Sequence, residues 1–154
     1  VTTADFYEEM PGVFYYVDAV GYAAERSGTA DFIPLLRQLH GYALFHGQMA
    51  YEGFQPDYML ERLATLELVI GRALARCGSA DGLVILISYL QDSRALLAEH
   101  AHSELAAITG VDYGKDTAAW SRWLESNGDR LPAAPVRTPT EAMQAWGTSA
   151  EMMR

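Results

Sequence analysis

The sequence has one cysteine, Cys77, and one lysine, Lys115. A lone cysteine excludes an intrachain disulfide and a cysteine-based zinc site, while leaving the redox compartment open. With so little lysine, positive charge rests on arginine, and no basic run occurs. The formal net charge of -9 argues against a nucleic-acid backbone or an anionic membrane surface as partner. No apolar run reaches membrane-spanning length. There is no HExxH, no GxGxxG and no Gly-rich phosphate loop, so neither catalytic nor cofactor-binding residues are assigned and no cofactor is expected in this chain. The chain begins at Val1 rather than Met, and a mature product or a piece of a longer polypeptide is the expectation. Nothing in the sequence indicates a compartment.

What is present is apolar periodicity. Half the residues are hydrophobic, enough for one domain with a real core. After an irregular lead-in at 1–12, closed by Pro11-Gly12, the i, i+3, i+4 spacing predicts helices over about 13–27 and 30–40. Further helices follow over 57–76, 79–90 and 93–108, and a short one after Asp116. Gly28, Gly78 and Gly110 read as helix stops, and Thr29, Ser79, Asp92 and Asp116 as N-caps. Residues 128–154 read as a Pro-containing strap with a helical turn or two at 140–147. No strand pattern is seen, so the fold class is all-α.

Sliding the chain by fifty positions (71 − 21 = 50) superposes Gly21 on Gly71, Ala23 on Ala73, Arg26 on Arg76, Gly28 on Gly78 and Asp31 on Asp81. Gly110 continues the series at a shift of thirty-two (110 − 78 = 32). Repeats of this length indicate stacked helix pairs that bury their faces on one another. Gly71 then has a structural role, as a small residue at a close helix crossing. The stretch GRALARCGSADGLVILISYLQD resembles a HEAT repeat of the type related to phycobilisome lyases. ITGVDYGKDTAAWSRWLESN is similar to the closing segment of bacterial arrays of that type. The resemblance covers about 13–127. It implies a short right-handed α-α superhelix of antiparallel helix pairs, with a Trp-bearing cap helix. More narrowly, ERLATLELVIGRALARCG with YLQDSRALLAEHAHSELAAITG resembles the helical C-terminal region of bacterial FAD-dependent oxidoreductases, whose flavin motif would lie upstream. That implies an accessory module within a larger enzyme.

Residues 41–56 interrupt the pattern with glycines, a proline and the aromatics Tyr42, Phe45, Tyr51 and Phe54 around His46. Long loops of this kind are often functional, although aromatics that merely cover the core edge would look the same. These five residues are the candidate interaction surface. His100 and His102, at i, i+2, point to different sides of a helix. His100 and Glu104 share a face, but a hydrogen-bonded pair between helices is the favoured reading over a metal site. Glu67 flanks an apolar stripe and needs a partner, for which Arg26, Arg76 and Arg94 are candidates. A structural ion pair is favoured over catalysis. Cys77 reads as a core residue, and Trp120 with Trp123 as the lid of the last repeat. The leading expectation is a non-catalytic interaction or scaffold module that contacts another protein or an upstream domain. The rival is a small enzyme or ligand-binding domain whose pocket lies under the 41–56 loop, joining His46, Tyr51 and a carboxylate.

Overall fold

The computed structural model describes residues 3–42, 45–47 and 58–136. Among these the chain is helical, without strands: α1 (Thr3–Ser27), a 3-10 turn (Ala30–Phe32) running into α2 (Ile33–His40), α3 (Tyr58–Arg76), α4 (Ala80–Ser88), α5 (Ala95–Thr109) and α6 (Thr117–Asn127), which ends in a second 3-10 turn (Gly128–Arg130). No described helix is long and apolar enough to cross a membrane.

Helix α3 is the hub and packs against α1, α2, α4 and α5. Its composition requires this. Leu66, Ile70 and Leu74 share one face of the helix and Leu68 lies on the opposite one, and all are buried. A helix that is apolar nearly all round must be covered all round. The expected stops are confirmed: Gly28, Gly78 and Gly110 have φ of 59°, 92° and 76°, the left-handed region where glycine carries no Cβ penalty. Thr29 accepts from Asp31 N at 3.3 Å, and Asp116 accepts from Ala119 N at 3.0 Å, as caps should.

The crossings are tighter than the repeat alone implies. A Cβ on Gly21 would stand 2.5 Å from Val69 Cγ1, and one on Gly71 would stand 2.7 Å from Ile85 Cγ2. A Cβ on Gly82 would fall on the backbone itself, at Ala75 N and Gly71 O. Thus α4 crosses α3 with Gly82 seated directly on the main chain.

Several expectations are corrected. The lead-in is not irregular: α1 begins at Thr3 and runs through Pro11. Pro11 removes one i→i−4 bond, but downstream Val17, Gly21 and Ala24 are buried on the α3 side and hold the helix. Ser79 is at the N-cap position of α4 without a side-chain cap bond, and its hydroxyl is buried without a partner among the described residues. Asp92 does not cap α5. Arg94 occupies that position, and Asp92 Oδ1 accepts from the Arg94 backbone N at 2.8 Å, because it is needed as the counter-charge of that arginine. Of the strap expected over 128–154, the described part is a 3-10 turn and then residues 131–136 without helix or strand, tied down by Ala134 N→Arg76 O and Val136 N→Glu25 O, both 2.9 Å. The helical turns expected at 140–147 lie outside the described residues.

Trp120 is fully buried, donates Nε1–H to Gly114 O at 2.9 Å, and meets Tyr113 edge-on at 5.1 Å between centroids. Trp123 is only partly buried. Trp120→Ala should cost about 3–5 kcal/mol in denaturant unfolding; a loss well under about 1 kcal/mol would mean that the α6 contact contributes little.

For the crossings, Gly71→Leu should destabilise by about 1–3 kcal/mol or more, since overpacking strains both helices. Gly82→Ala, a single methyl, should be at least as damaging, because main chain cannot swing aside as the Ile85 side chain can. Unchanged denaturation midpoints for both would refute the close crossing.

Candidate functional site

Several titratable groups are buried among the described residues, and Glu67 sits where three segments meet. Glu67, on the largely buried α3, is 1% exposed. Ionised, it would be prohibitively costly unless donors surround it. They come from three directions. Tyr89, just after α4, donates its hydroxyl to Glu67 Oε1 at 2.6 Å, and Gly47 N donates to the same oxygen at 3.1 Å. His40, the last residue of α2, donates Nε2–H to Oε2 at 2.7 Å. Burial first, then the adjacent Glu67, raises the Tyr89 pKa far above its ordinary value, so the phenol stays a donor. His46 donates Nε2–H to the His40 carbonyl at 2.7 Å, and the two rings lie 4.5 Å apart. Beneath this, Arg94 and Asp92 form a buried pair at 2.8 Å, and Arg94 also donates to Gly47 O at 2.5 Å. Gly47 is therefore held by both backbone groups, with Ala64 3.3 Å from where a Cβ would stand.

The arginine partners expected for Glu67 are a correction. Arg76 donates to Glu104 Oε2 at 3.0 Å and to Ala134 O at 3.0 Å, Arg26 lies over the Tyr22 ring at 4.8 Å, and Arg94 serves Asp92. Histidine and tyrosine take their place, because α2 and the end of α4 converge on Glu67 while the arginines of α3 point to the other side.

On that other side, Arg72 bonds the Glu25 carboxylate of α1 and donates to His100 Nε2 of α5 at 3.0 Å. His100 and Glu104 are thus each paired to an arginine of α3 across the helix interface. His102 turns away to Asp112 Oδ1 at 2.7 Å. Cys77 is buried, with its pKa raised by desolvation.

The candidate interaction residues divide. Tyr42 and His46 are exposed, whereas Phe45 is 2% exposed and belongs to the core, a correction. Its ring packs in the core and forms part of the floor of the groove beside α1. Tyr51 and Phe54 lie outside the described residues. An apolar groove of about 460 Å³ opens beside the cluster, lined by Gly12, Val13, Tyr16 and Val17 of α1, Leu39 of α2, and Tyr42 with Phe45. Tyr16 and Tyr42, each 53% exposed, stand at its rim. The sequence offered no spacing that would join α1 to this loop, so the groove was not foreseeable from it. Of the rival pocket, the structure brings together His46 and a carboxylate, Glu67, with His40 added. No protein-family model, curated protein or solved structure matches this chain.

Burial, then the Arg72 charge, lowers the His100 pKa below the ordinary 6.5, while Glu104 opposes this more weakly. The folded state therefore disfavours His100 protonation, and stability from the neutral ring is lost as pH falls from the unfolded value through the depressed folded one. His100→Gln keeps an acceptor for Arg72 but cannot titrate. The excess of wild-type Tm over that of the variant should shrink between pH 7.5 and 5.5, which thermal unfolding at each pH will show. Glu25, whose pKa is raised mainly by burial, shifts in the opposite sense but is common to both chains. A constant difference would refute the assignment.

Proposed function

We propose that this chain is a non-catalytic interaction module that docks another polypeptide through the groove between α1 and the α2 end. The observation that carries the reading is the groove itself: an open apolar channel rimmed by two half-exposed tyrosines. Tyrosine contributes large contact area at low entropic cost and is enriched where binding energy concentrates. The architecture is read as a short right-handed HEAT-like stack centred on the pair α3/α4, with α1 and α5 packed on α3 and α6 packed on α4 as cap. Support for this comes from the recurring left-handed glycines and the buried Trp120. The resemblance to FAD-dependent oxidoreductase C-terminal regions favours a partner within the same, longer polypeptide, and the module would then be accessory to flavin chemistry carried out elsewhere.

The test is calorimetric titration of the 154-residue chain with the separately expressed segment encoded upstream of Val1. Saturable binding is expected. Tyr16→Ala with Tyr42→Ala should weaken it by about tenfold or more, the loss that removing a hot-spot contact of about 1.4 kcal/mol produces. Absence of binding, or binding indifferent to both substitutions, would overturn the reading.

A further inference from the structure

We propose that His40, His46 and Glu67 form a binding site for one divalent transition-metal ion of the zinc type. One ring nitrogen of each histidine and one carboxylate oxygen of Glu67 lie within 4.8 Å of one another. Ligands on a tetrahedral ion with bonds of about 2.0–2.2 Å are about 3.3 Å apart. The His40–Glu67 contact, now 2.7 Å, has to open by a fraction of an ångström. The remaining adjustment falls on His46, which is exposed and lies outside the regular helices. Two imidazoles and a carboxylate suit zinc rather than the oxygen-seeking calcium or magnesium. They also leave a fourth position for water on the exposed His46 side.

Contacts around the three donors match those of a metal site. Tyr89 and Gly47 both bond Glu67 Oε1, which orients the carboxylate and presents Oε2 towards His40. The His40 carbonyl can only accept, so His46 Nε2 carries the hydrogen and the lone pair of the neutral ring sits on Nδ1. Outer-sphere bonds of both sorts fix ligands in metal centres. The ion would take the place of the proton between His40 Nε2 and Glu67 Oε2. From a neutral ring that proton moves to Nδ1, and from a charged ring it is released to solvent. No linear motif announces the site, because its donors lie at positions 40, 46 and 67, and it departs from the expectation of no metal. Its consequence is mechanical: the ion would link α2, the segment after it and α3 beside the groove. It does not depend on the docking reading.

The test is calorimetry of the chelator-stripped chain with ZnCl2 alone, paired with thermal unfolding. One equivalent should bind with micromolar or tighter affinity and raise Tm. His46→Ala, at an exposed position, should keep the helical circular dichroism and weaken binding at least tenfold. Tyr89→Phe, which removes an outer-sphere bond, should weaken it by about tenfold. His102→Ala, whose ring pairs with Asp112 away from the cluster, should bind as wild type does. Failure of the wild type to bind at concentrations well above micromolar would overturn the proposal. So would equal affinity of wild type and His46→Ala, because the ion would then sit elsewhere.

Discussion

A carboxylate sealed inside an apolar helix bundle has to be matched by donors, and that requirement organises one half of this molecule. Glu67 cannot be moved to water without unwinding the hub helix, so the donors must come to it. His40 brings the end of α2, Tyr89 the end of α4, and Gly47 the segment after α2. Removing any one would leave part of a buried charge unmatched, a cost well above the net value of an ordinary hydrogen bond. Arg94 and Asp92 extend the same logic, since the guanidinium that neutralises Asp92 also takes the Gly47 carbonyl. A single glycine is thereby held between two buried charges of opposite sign. Ala64 leaves little room for anything larger.

The other half is governed by close approach. With Gly71 and Gly82 facing each other, α3 and α4 come near enough for dispersion to act between main chains. The ionic contacts Arg72–Glu25 and Arg76–Glu104 cross from α3 to its neighbours α1 and α5. Buried pairs of this kind add little stability against an apolar alternative. They do oppose sliding, because a guanidinium one turn out of register would face apolar side chains.

Much of the helical architecture was legible because periodicity and glycine stops are local signals. The left-handed Gly28, Gly78 and Gly110 follow from chain geometry alone. The repeat misled where position in the bundle outweighs position in the repeat. Arg26 and Arg76 correspond fifty residues apart, yet Arg76 lies on the covered hub and finds Glu104, whereas Arg26 lies on an exposed face of α1 and lies over Tyr22. Asp92 carried a sound capping signal, but a buried arginine two residues away competed for it. The Glu67 cluster was half legible. Its need for a partner could be read from the apolar stripe, but the partner could not. Local spacing says nothing about which of three distant segments the fold will deliver.

The groove follows from a mismatch of lengths. At 1.5 Å per residue, the 25 residues of α1 span about 37 Å and the eight of α2 about 12 Å. So short a helix cannot cover the apolar stripe of so long a one. Among the described residues, Val13, Tyr16 and Val17 line an open channel together with Leu39, Tyr42 and Phe45. The segment that brings Tyr42 and Phe45 there is the one that Glu67 and Arg94 tether through Gly47. The buried charges and the exposed apolar surface are therefore coupled. Gly47 is the joint between the two, bonded to Glu67 through its N–H and to Arg94 through its carbonyl.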